Sequence, residues 1–96
     1  MYAVIFDRDA NCLNEQHNIN PSNNVYKSIR NFMEENGFIW QQGGLYFGSH
    51  DRINSVSCCI AVQKLAKQYD WFNSCVKSIR MLRIEENSDL MPAINI

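Results

Sequence analysis

The sequence predicts an α+β domain whose elements follow one another as strand, helix, strand, strand, helix, strand, with a four-stranded antiparallel sheet. Three observations carry that prediction. Residues 2–6 form an apolar run with β-branched, aromatic or small side chains on both alternating faces, the pattern of a central strand. Two stretches, beginning at Val25 and after Asp51, repeat apolar residues at helical spacing. Short aromatic runs at residues 38–40 and 45–47 flank Gln41-Gln42-Gly43-Gly44, which reads as a hairpin.

The first strand sends Tyr2, Val4 and Phe6 to one face and Ala3, Ile5 and Asp7 to the other, so a carboxylate ends an otherwise apolar face. An ionised group there needs a partner, a cation or water. The plainer reading is a strand-ending or turn-starting aspartate. Residues 10–24 are polar and rich in asparagine, and Pro21-Ser22-Asn23-Asn24 reads as a loop leading into a helix. In that helix Val25, Ile29, Phe32 and Met33 form one apolar stripe, and Asn36-Gly37 supplies a stop, because glycine takes the left-handed conformation at little cost. After the hairpin, Gly48-Ser49-His50-Asp51 breaks the strand and offers Ser49 or Asp51 as the cap of a second helix over about 52–68. This helix carries two stripes, Cys58, Val62, Leu65, Ala66 and Tyr69 against Ile53, Val56 and Ile60. Asp70-Trp71-Phe72 reads as a short turn. Residues 76–85 alternate as a final strand, and about 86–96 form a packed tail around Pro92.

That order is the ferredoxin-like βαββαβ arrangement, with the first and third strands central. Two helices cover one face of the sheet. The other face, carrying Ala3 and Ile5, is left apolar and open, which predicts a homodimer stacked sheet to sheet.

The chain has 96 residues, one domain spanning 1–96. At this length it buries roughly 60 to 70% of its unfolded surface, so a partner subunit would add to a modest core. A net charge of −1 and a pI near 6.0 exclude a general basic surface, so any nucleic-acid contact must be local. No apolar run is long enough for a membrane span and no leader precedes the first strand, which predicts a cytoplasmic protein without membrane contact. The four cysteines, Cys12, Cys58, Cys59 and Cys75, contain no CxxC pair, and neither His17 nor His50 stands at ligand spacing from them, against a zinc site.

Several stretches resemble one family. Met1-Tyr2-Ala3-Val4-Ile5-Phe6-Asp7, Asn36-Gly37-Phe38, Gln42-Gly43-Gly44-Leu45-Tyr46 and Ser78-Ile79-Arg80-Met81-Leu82-Arg83-Ile84-Glu85 are similar, in order and spacing, to virulence-associated protein D, VapD. The resemblance runs from Met1 to about Met91. It implies a small ribonuclease, the toxin of a toxin–antitoxin pair with a protein antitoxin as partner, and a ferredoxin-like homodimer. It also implies a distant likeness to small CRISPR-associated nucleases. Asp7 matches the family's strand-end aspartate and Tyr46 its hairpin tyrosine, which makes these the catalytic candidates. Two positions depart: Gly44 stands where members often have serine, and Ser78 where they often have aspartate before Ile-Arg.

In a sheet-to-sheet dimer Asp7 would approach its own copy. Two such carboxylates share a proton or hold a divalent cation, for which Mg²⁺ suits carboxylate and phosphate oxygens. Without a metal, Asp7 would act as base for attack by the RNA 2′-hydroxyl. Arg8, Lys77, Arg80 and Arg83 are the phosphate-binding candidates, although charges on an edge strand most often only solvate it. Arg80, between apolar neighbours, is the expected partner of Asp7 or of a phosphate. Tyr46 would stack on a base or donate to a phosphate, whereas an aromatic in a central strand most often belongs to the core. The rival function is a non-catalytic RNA-binding or assembly-forming dimer. The RNA-recognition signature is absent from Gly44-Leu45-Tyr46-Phe47-Gly48, which lacks the leading charge.

Overall fold

The computed structural model describes residues 1–9 and 24–95, and in the first helix the side chains from Lys27 onward. The polar stretch 10–23, with its expected loop, and the stripe position Val25 lie outside the described side chains. Four strands, β1 (Tyr2–Arg8), β2 (Phe38–Gln42), β3 (Leu45–Gly48) and β4 (Val76–Arg83), form one antiparallel sheet in the order β2-β3-β1-β4. Among the described residues three helices accompany it: α1 (Asn24–Glu35), α2 (Ser55–Gln68) and α3 (Asp70–Cys75). A 3₁₀ turn, Met91–Ile94, follows β4. None of the described helices is long and apolar enough to cross a membrane.

The core lies on one side of the sheet. Val4 and Phe6 of β1, Tyr46 of β3 and Phe38 of β2 pack against Ile29 and Met33 of α1, Cys58, Ala61 and Leu65 of α2, and Trp71, Phe72 and Cys75 of α3. Register explains the selection: Val4 pairs with Tyr46 and Met81, and Phe6 with Ile79, so these side chains share a face. The opposite face carries Ile5, Leu45, Phe47, Ile39 and Leu82. Ile5 is 39%, Ile39 52% and Leu82 39% exposed, an apolar surface that no described element covers. Ala3 lies on this face yet is buried, flanked across the ladder by Phe47 and Leu82, whose bulk closes over its methyl group.

Helix α1 ends as the sequence predicts, with Gly37 at φ 90° beyond Glu35. Helix α2 begins later than expected. Its cap is Asn54, not Ser49 or Asp51: the Asn54 side chain accepts from the Ser57 N–H at 3.0 Å, and the Ser57 hydroxyl accepts from the Asn54 N–H at 3.3 Å. This reciprocal pair satisfies two otherwise orphaned donors, which the earlier residues cannot do from inside a turn. Ile53 consequently precedes the helix and is buried in the core, while Val56 and Ile60 point to solvent at 63% and 44% exposure, so the second stripe is not a packing face within the chain.

Three further expectations are corrected. Residues 70–72 begin a helix, because Phe72, Trp71 and Cys75 at spacings of three and four all turn into the core. Strand β4 stops at Arg83, where its pairing with β1 ends at Tyr2. The tail does not pack: Leu90, Met91 and Ile94 are 61–73% exposed, since the core is already closed by α2 and α3.

Candidate active site

Asp7 is the penultimate residue of β1. Asp7 is exposed and pairs with Ser78 of β4, and one step back Ile5 pairs with Arg80. Arg80 is therefore the diagonal neighbour of Asp7 on the open face, with backbones about 7–8 Å apart, a span that an arginine side chain bridges. No ion pair forms between them. Among the described residues the side-chain ion pair within 4 Å is Arg83–Glu85 at 2.9 Å, both ends well exposed, an interaction of little energetic weight. Asp7 and Arg80 are thus an acid and a cation on one apolar face, adjacent and not spent on each other. Between Asp7 and Arg8 the register slips, leaving Lys77 as the extra residue of β4, exposed at this same end.

Tyr46 is elsewhere. It is paired with Val4, three positions from Asp7, and the odd separation puts the two candidates on opposite faces of the sheet. Its ring is 1% exposed and stacks on Phe6, with centroids 5.8 Å apart and planes 5° from parallel. Burial pushes its phenol pKa above the usual value, while the positive charges of Arg8 and Arg30 pull it down and Glu34 pushes it up. Arg8 follows Phe6 on that side, its guanidinium 5.3 Å from the Phe6 ring centre.

Arg30 and Trp40 were not singled out by sequence reasoning. The Arg30 guanidinium lies 3.8 Å from the centre of the Trp40 ring, and the indole N–H donates to the Gly43 carbonyl at 2.9 Å. Arg8, Arg30, Trp40, Gly43 and Tyr46 line a cavity of about 160 Å³. The only available signal was weak: Arg30 follows the buried Ile29, and its meeting with the hairpin depends on helix phase and strand register together.

The departures also acquire places. Ser78 sits directly across from Asp7, so the missing carboxylate would have been its cross-strand neighbour. Gly44 closes on β1: its carbonyl accepts from the Phe6 N–H at 3.1 Å, and a β-carbon built on it would overlap the Phe6 carbonyl oxygen. No group of three or more His, Cys, Asp or Glu side chains comes together among the described residues.

Fold and site together define a small α+β sheet protein with an acid and basic side chains at the end of a central strand. No family model matches the chain. It is 60% identical over 96 residues to the endoribonuclease VapD homolog of Helicobacter pylori, covering 100% of this chain and 98% of that protein. It is 55% identical over 95 residues to endoribonuclease VapD 2 of Riemerella anatipestifer, covering 99% and 100%. To endoribonuclease VapD of Dichelobacter nodosus it is 35% identical over 89 residues, 93% and 91%. The chain belongs to the VapD family.

Proposed function

We propose that this chain is an endoribonuclease that cleaves RNA at Asp7, on the open face of the sheet, as a sheet-to-sheet homodimer. The observation that carries the reading is an exposed carboxylate ending a central strand on an uncovered apolar face, with Arg80 as its diagonal neighbour. The full-length relatives named endoribonuclease support the reaction class. The strand order β2-β3-β1-β4, with β1 and β3 central, supports a ferredoxin-like core. The exposed Ile5, Ile39 and Leu82 support the dimer, because burying them against a second copy removes apolar surface from water.

In the reaction Asp7 takes the proton of the 2′-hydroxyl, whose oxygen attacks the adjacent phosphorus. The bond to the 5′-oxygen breaks, that oxygen is protonated by water, and a cyclic phosphate is left. Arg80 stabilises the charge on the phosphorane. Lys77, at the same strand end, and Arg83, beyond Arg80 on β4, extend the positive track for the strand. The donor set bears on Mg²⁺: among the described residues no three acidic, His or Cys side chains gather around Asp7, so a bound cation would rely on the second Asp7, phosphate oxygens and water. When bound there, Mg²⁺ would offset charge on the scissile phosphate. A ribonuclease in its own cytoplasm has to be restrained, so we assign it as the toxin of a pair held by a protein antitoxin.

The test is RNA cleavage by the pure protein and by Asp7→Asn, with and without chelator. Cleavage lost in Asp7→Asn, with dimer mass and melting temperature kept, supports the reading. Equal activity in both proteins points to a contaminant, and RNA binding without cleavage in the wild type leaves a binding module.

A further inference from the structure

We infer that the cavity walled by Arg8, Arg30, Trp40 and Tyr46, on the helix-covered side of the sheet, binds a phosphate of the RNA strand whose neighbouring phosphate reacts at Asp7. The inference rests on the RNA-cleaving reading above and adds a subsite on the other side of β1.

Four observations converge on it. Two guanidinium groups from different elements, Arg8 at the end of β1 and Arg30 on α1, line one cavity of about 160 Å³. The Nε of Arg30 is buried and has no hydrogen-bond partner. A buried charged donor left unsatisfied is costly and rare, so the guanidinium of this cavity-lining residue gains from a small shift that brings it an anionic oxygen. Glu34 lies one turn along α1, where it could have paired with Arg30, yet no ion pair forms. Third, the cavity is held in shape. The Trp40 indole is anchored to the Gly43 carbonyl at 2.9 Å, and Arg30 lies over its ring. A guanidinium stacked on an indole keeps its N–H edge in a fixed plane, the geometry that suits two oxygens of a phosphate. Fourth, the phenol of Tyr46 is close enough to both arginines to feel their charge, and remains protonated, so it enters the cavity as a hydrogen-bond donor.

Position argues for a strand and not for a free anion. Asp7 and Arg8 are consecutive, and the Gly44 carbonyl is bound to the Phe6 N–H, so the hairpin tip, the cavity and the acid share one end of the sheet. A strand rounding that end meets the acid on one face and the cavity on the other. Trp40, 37% exposed, also gives an aromatic edge at the mouth.

The experiment separates this subsite from the chemistry by measuring binding alone, with a single-stranded RNA blocked against cleavage by 2′-O-methylation. Affinity is measured across salt concentrations for wild type, Asp7→Asn, Arg30→Gln and Arg30→Met, the last keeping the aliphatic stem that packs on Trp40. Arg30→Gln and Arg30→Met are expected to weaken binding about tenfold, from one charge-assisted contact, and to reduce the slope of log K against log salt by about 0.7. Asp7→Asn should bind at least as tightly as wild type. In a parallel NMR titration of the wild type with inorganic phosphate, the Trp40 indole N–H should shift while that of Trp71, outside the cavity, stays. Wild-type affinity and slope in both Arg30 variants would overturn the inference, as would a Trp40 signal that phosphate leaves unmoved. A Trp40 shift with phosphate but unchanged RNA affinity in the variants would show a free-anion site and overturn the RNA assignment. Wild-type protein that binds no RNA would overturn the subsite and the nuclease reading together.

Discussion

Restoring the family's serine at residue 44 is predicted to damage this protein. In the structure the Gly44 carbonyl accepts from the Phe6 N–H at 3.1 Å, and a β-carbon at 44 would overlap the Phe6 carbonyl oxygen while lying 3.0 Å from its carbon and 3.3 Å from the Phe6 nitrogen. These are backbone atoms of the central strand, so no side chain can rotate away; β1 and the start of β3 must part. Overpacking of this kind costs roughly 1–3 kcal/mol, and losing the hydrogen bond adds about 0.5–1.5 kcal/mol. The sum, about 2–4 kcal/mol, corresponds to a fall in Tm of roughly 10–30 °C for a domain of this size. Gly44→Ala and Gly44→Ser share the offending atom and should fall together. Circular-dichroism melts at one fixed protein concentration measure it, so that any association contributes equally to each protein. If both variants melt within about 3 °C of wild type, the close approach of residue 44 to β1 is wrong. A hydroxyl at this position would then be tolerated, and its absence here would need another explanation.

Tyr46→Phe should flatten the alkaline limb of stability. Burial raises the Tyr46 pKa above its ordinary 10.0, so the stability that follows from keeping it protonated is complete below pH 10 and is lost as pH rises through the folded value. Wild-type Tm should therefore drop above pH 10 more steeply than that of the variant, and identical profiles would refute the coupling. Cys58, also raised by burial, contributes with the same sign from pH 9 upward in both proteins. Ile5→Glu puts a charge in the middle of the open face; if the proposed sheet-to-sheet dimer forms, the variant should sediment as a monomer with the helix content kept, and a mass equal to that of wild type would remove this face from the interface. Ser78→Asp sets a second carboxylate opposite Asp7, at about 4.5–5.5 Å between β-carbons. The expected result is a Tm lowered in EDTA and recovered with Mg²⁺, a response the wild type should show less.

What could be read in the sequence was what depends on neighbours along the chain. The alternation of β1 separates Val4 and Phe6 from Ile5 and Asp7 by a period of two, and the structure buries the first pair and exposes the second. The glycine stop at Gly37 works in the same local way. Register across strands is a different kind of information. Where Tyr46 stands relative to Asp7 depends on the pairing of β3 with β1, and that pairing sets Tyr46 against Val4 on the far side. The cap of α2 escaped for a related reason: several polar residues could start the helix, and only the reciprocal fit of Asn54 with Ser57 chooses among them.

The slip at Asp7 and Arg8 links these two kinds of information to function. Consecutive residues of a strand face opposite ways, so an acid followed by a base at a strand end addresses both sides of the sheet at once. The structure makes that end of the sheet an edge, with Asp7 on the open face and Arg8 toward the cavity with Arg30. If one RNA strand uses both, losses separate by residue: Asp7→Asn removes cleavage and leaves binding, and Arg30→Gln weakens binding while saturating RNA restores most of the cleavage rate. A variant of Arg30 whose maximal rate fell as far as that of Asp7→Asn would place the two residues in one reacting centre after all.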